Sequence, residues 1–138
     1  MARLCNGEMS NEMQHSLAAL QHAVELACDC SYVPRIEEGR LQVLLMDPDW
    51  VRKNIVATAR EVLDLSDDWA YRRLLELLCM VCPECVLEVA APGLAASDPE
   101  IREAALEFQN PAANQRRGIE YTQGLAERHP ELRARLDS

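Results

Sequence analysis

Between Met13 and Cys28 the apolar residues fall at steps of four, three, four and four: Met13, Leu17, Leu20, Val24, Cys28. That spacing lines them up on one stripe of an α-helix and scatters them over both faces of a strand. The pattern returns along most of the chain. Val51, Ile55, Ala59, Val62 and Leu63 form a second stripe. Leu74, Leu75, Leu77, Leu78 and Val81 form a third, apolar over so wide an arc that its helix belongs in the middle of a bundle. "LQVLL" has flanks that favour helix over strand, and no other segment reads as extended. The pattern predicts an all-α fold, a compact array of about seven to eight antiparallel helices.

Local signals divide that array. Asn11 with Gln14 reads as a capping box for the first helix, which runs to the "CDCSYVP" segment. Pro34 opens the second helix, carrying Ile36, Leu41, Leu44 and Leu45, and Asp47-Pro48-Asp49 opens the third. Ser66 is expected to cap the fourth helix, with Asp67 and Asp68 in its first turn. Pro83 ends the fourth and begins the fifth, which Pro92 should kink or break near its end. Ser97 to Glu100 reads as a capping box for the sixth. Asn110-Pro111 starts the seventh, with a thin apolar face of Ile119, Tyr121 and Leu125, and Pro130 precedes a short last turn. Residues 1–9 read as a flexible lead-in and 10–138 as a single helical domain, a size that suits one domain.

Charge narrows the partners. Acidic residues number 23 against 14 basic ones, a net charge of −9, which repels nucleic-acid backbones and anionic membranes and suits a basic protein partner. Lys53 is the only lysine, an arginine bias that points to a GC-rich bacterial genome. No run approaches the roughly 18 apolar residues of a membrane span, and "MARLCNGEMSNEMQ" has no apolar core of a secretory signal. The expected location is the cytoplasm, where thiols stay reduced, so six cysteines do not imply three disulfides.

Residues 44–63, "LLMDPDWVRKNIVATAREVL", compare with 93–108, "GLAASDPEIREAALEF", and more faintly with 63–78, "LDLSDDWAYRRLLELL". Each reads apolar residue, polar turn, Asp-Pro or Asp-Asp, then an Arg-bearing helix. This resembles the helix-turn-helix joint of HEAT-type and armadillo-type repeats and covers residues 34–108. The resemblance implies a compact HEAT-like array that presents an outer face to a protein partner and supplies no catalysis.

The cysteines leave alternatives open. Cys79, Cys82 and Cys85 recur every three residues in "CMVCPEC", and Cys28 and Cys30 stand at a helix end. Together they could ligate zinc or an iron–sulfur centre, carry redox chemistry, or fill a core. Packing is the favoured reading. Pro83 divides the trio, and a helix C-terminus opposes the thiolate that a metal needs at Cys79 and Cys82. Cys85, in a first turn, is the one expected to react, with Glu84 and Glu88 working against it.

No Gly-rich phosphate loop, G-x-S-x-G or H-E-x-x-H occurs, so the chain is expected to be non-enzymatic and without a cofactor. The residues offered for partner binding are the acids at helix starts, Asp47, Asp49, Asp64, Asp67, Asp68, Asp98 and Glu100, with Trp50 and Trp69 as anchors. The bland alternatives are capping and dipole compensation for the acids and packing for the tryptophans. If the helices lie in parallel register, those acids line one rim. A non-catalytic protein-binding module, such as a bacterial immunity protein neutralising a basic toxin, is the expected function; a small metal-binding or redox protein is the rival.

Overall fold

A computed structural model describes residues 10–29 and 31–137, and the expectations for residues 1–9 and for Cys30 lie outside them. The described residues form an all-α fold: α1 Asn11–Gln14, α2 Leu17–Asp29, α3 Val33–Leu45, α4 Pro48–Val62, α5 Asp68–Val81, a 3₁₀ turn Pro83–Cys85, α6 Val86–Gly93, α7 Pro99–Glu107, α8 Pro111–Arg128 and α9 Pro130–Asp137. None of these helices is long and apolar enough to cross a membrane.

α5 is the centre, as its sequence requires. Leu74, Leu75, Leu77 and Leu78 are fully buried, each contributing about 1.5–3 kcal/mol by leaving water. Their wide arc touches α2, α4, α7 and α8. A second, smaller cluster of Leu125, Ala126 and Leu132 packs on Leu41, Leu44, Leu45 and Met80, so α3 and α5 hold the C-terminal helices. Arg135 of α9 fixes that end by donating to the Met46 carbonyl at 2.9 Å.

Two helix pairs approach closely because a side chain is missing. A Cβ on Gly39 of α3 would lie 2.7 Å from the Ala23 carbonyl oxygen of α2, so only glycine permits this contact. A glycine inside a helix lowers its propensity by about 1 kcal/mol relative to Ala, and here it lets α2 and α3 touch.

The boundaries depart from expectation where side chains compete for backbone. Ser10, not Asn11, caps α1 by accepting from the Met13 N–H. The single first helix is two, because Ser16 accepts from the Ala19 N–H and restarts the chain as α2. Met13 and Leu17 are therefore exposed, while Leu20, Val24 and Cys28 carry the buried stripe.

Ser66 does not cap α5. Its N–H and hydroxyl both donate to Asp64, and Asp67 takes the cap, accepting from the Trp69 N–H at 3.0 Å. Ser97 yields in the same way to Asp98, which accepts from the Glu100 N–H at 2.8 Å. A carboxylate in the positive field of a helix N-terminus outbids a neutral hydroxyl. Asp47 and Asn110 cap α4 and α8 as expected. Pro92 also acts as expected: α6 ends at Gly93, and the chain tightens into i to i+3 bonds from Leu94, Ala95 and Ala96.

Candidate functional site

The acids offered for partner binding fall into three groups along the chain. α4 has 15 residues, about 22 Å at 1.5 Å per residue. Asp47 and Asp49 stand at its start, and Asp64, Asp67 and Asp68 follow its end. Asp98 and Glu100 open α7 as a third group.

The two tryptophans part company as well. Trp50 packs against the core, with the His15 ring edge-on at 6.1 Å. Asp47 beside it accepts from His15 Nε2 at 2.8 Å. The Asn11 carbonyl on the other ring nitrogen, then Asp47, push the His15 pKa up, while His15 holds the Asp47 carboxyl below its usual range. Asp49 is paired with Arg52 at 3.2 Å. The α4 start is a stapled corner.

Trp69 is different. It sits in the first turn of α5 and remains 42% exposed. The Arg73 guanidinium lies 4.2 Å from its ring centroid, and Glu76 accepts from Arg73 at 2.8 Å and from Arg40 at 2.6 Å. That chain of contacts fixes the indole's orientation from below.

One turn along, Arg72 donates to Glu107 at 2.8 Å and so brings the end of α7 beside the start of α5. Glu103 is also close enough for its charge to act on Arg72. Leu106, one turn on from Glu103, is 69% exposed. The start of α5 carries Asp64, Asp67, Asp68 and the exposed Trp69, and the end of α7, tied to α5 through Arg72 and Glu107, carries Glu103 and the exposed Leu106. Arg72 and Arg73 lie on the carboxylates of Glu107 and Glu76. Sequence reading missed Leu106 and Glu103, since their approach to α5 depends on the Arg72–Glu107 bridge between segments 35 residues apart.

A second surface feature is a groove between the α4 start, the α5 end, α8 and α9. Cavities of about 350 and 290 Å³ share Arg52, Met80, Thr122 and Leu136 as walls. Ile119 and Leu136 stand half-exposed beside it.

Among the described residues the cysteines are not gathered for a metal. Cys82 and Cys85 are joined in a disulfide, against the expectation of reduced thiols. Cys28 and Cys79 are buried thiols, and burial pushes their pKa values up to about 12 and about 11. Among the described residues no group of three His, Cys, Asp or Glu side chains is arranged to hold an ion. Compared with known proteins, the chain matches no family model, no curated protein and no solved structure.

Proposed function

We propose that the chain is a non-catalytic protein-binding module, and that a basic protein docks on the Trp69–Leu106 end. One observation carries this reading. Two large apolar side chains stand exposed on segments that also carry Asp64, Asp67, Asp68 and Glu103, while Arg72 and Arg117 lie on Glu107 and Arg73 lies on Glu76. Apolar anchors ringed by one sign of charge are what recognition of an oppositely charged protein needs: the anchors supply affinity and the ring supplies steering. The net charge of −9 and the resemblance of residues 34–108 to HEAT-type joints support the same class. The narrower form is an inhibitor in the bacterial cytoplasm, an immunity protein that neutralises a basic toxin.

Salt tests it. Capture from a bacterial lysate is run at about 0.05 M and about 0.5 M salt, between which the screening length falls several-fold. The expected result is a basic protein held at low salt, released at high salt, and lost with Trp69→Ala and with Asp68→Lys. A partner that ignores both salt and those substitutions overturns the assignment.

A further inference from the structure

The α5–α6 joint is built on Cys82-Pro83-Glu84-Cys85, with the two sulfurs bonded. As a staple this bond has little to do. Only two residues intervene, and the chain entropy that a disulfide removes shrinks with the loop it closes. The turn is already held by backbone bonds of 2.8 Å from Cys82 N–H to Leu78 and from Cys85 N–H to Cys82.

The sulfurs are also unequal. Cys82 is 1% exposed, whereas Cys85 is half-buried and stands at the start of α6, where the helix field favours a thiolate. Glu84 and Glu88 on either side would oppose that charge. Each is instead drawn to an arginine of α4: Glu84 to Arg52 at 3.2 Å and Glu88 to Arg60 at 3.5 Å. These pairings, with Arg52 shared between Glu84 and Asp49, reduce the opposition of the two glutamates to a Cys85 thiolate.

We propose that Cys82–Cys85 is an exchangeable disulfide whose outward sulfur, Cys85, reacts with a small vicinal dithiol or its disulfide, and whose inward sulfur, Cys82, closes the ring. A thiolate of the dithiol attacks Cys85 Sγ. The Cys82–Cys85 bond breaks, and Cys82 leaves as a thiolate that takes one proton. The second thiol of the reagent then attacks its own sulfur in the mixed disulfide, so that Cys85 leaves and takes the second proton. The protein gains two electrons and two protons, and the dithiol becomes a disulfide. The reverse sequence restores the bond.

The full chain is equilibrated in graded ratios of reduced to oxidised dithiothreitol, quenched with acid, alkylated and mapped by mass spectrometry. Cys82 and Cys85 are expected to convert together and reversibly, with the helical circular dichroism retained, while Cys28 and Cys79 stay unlabelled. With glutathione disulfide, Cys85 of a Cys82→Ser variant should form a mixed disulfide about tenfold or more faster than Cys82 of a Cys85→Ser variant. Thiols that stay free at every ratio, a bond that opens only on unfolding, or faster capture at Cys82 each overturn the assignment. If either variant fails to fold, the wild-type titration decides alone.

Discussion

Gly118 of α8 lies directly against the backbone of Cys79 in α5, and a Cβ there would collide with the Cys79 carbonyl. The collision is with backbone, which cannot swing aside. Alanine's helix advantage of about 1 kcal/mol is therefore outweighed, and Gly118→Ala should destabilise by about 1–3 kcal/mol. Gly124, on the same helix, has only the Arg128 side chain within reach, at 4.0 Å. Gly124→Ala should stabilise by about 0.5–1 kcal/mol. Urea midpoints of the two variants check the pair; equal shifts of one sign would deny that α5 and α8 touch at Gly118.

Glu76 accepts from both Arg40 and Arg73, which are largely shielded from water. Glu76→Gln leaves two guanidiniums facing a neutral group. The expected loss is about 2–3 kcal/mol, somewhat below the cost for a fully buried pair. It should also free Arg73 from beneath Trp69, which changes the tryptophan fluorescence. Full stability with unaltered emission counts against the role given to Glu76.

Acid should loosen the C-terminal helices through Glu37. Its carboxylate joins α3 to the α8–α9 junction, accepting from Arg128 at 3.0 Å and meeting His129 Nε2 at 2.7 Å. The Arg128 hydrogen bond first, then His129, hold its pKa below the ordinary glutamate value. A folded-state pKa below the unfolded one stabilises the fold above the unfolded pKa of about 4.3. That contribution disappears as pH falls through the lower, folded value. Arg128 is well exposed, so the effect is about 1 kcal/mol or less. Urea midpoints from about pH 7 to about pH 3 should fall less steeply for Glu37→Gln than for the natural chain.

Much of the fold was legible because helix periodicity and capping are local. The stripes at Leu20, Val24 and Cys28 and at Leu74, Leu75, Leu77 and Leu78 are buried as their spacing demands. Which residue caps was less legible: at Ser66 and Ser97 a hydroxyl and a carboxylate compete side by side, and the winner depends on what else each can bind. α8 was misread in part. Ile119 is half-exposed; the helix packs through Leu125, as its sequence suggests, but also through Gly118 and Asn114, small or polar positions that no apolar count reveals. The Cys82–Cys85 bond was hidden behind an argument from compartment, although its C-x-x-C spacing was in view. Of the two tryptophans, sequence treated both alike; only the packing of His15 on Trp50 and the solvent around Trp69 separate them.

Site-specific photo-crosslinking tests the docking surface most directly. A photoreactive residue is placed at Leu106, next to Glu107 on α7, and in a second chain at Ile119, beside the groove between α8 and α9. Crosslinking in a bacterial lysate should trap one basic protein from Leu106, lost at high salt and with Asp68→Lys, and nothing comparable from Ile119. A partner trapped from Ile119 alone, or one from Leu106 that carries net negative charge, contradicts the account.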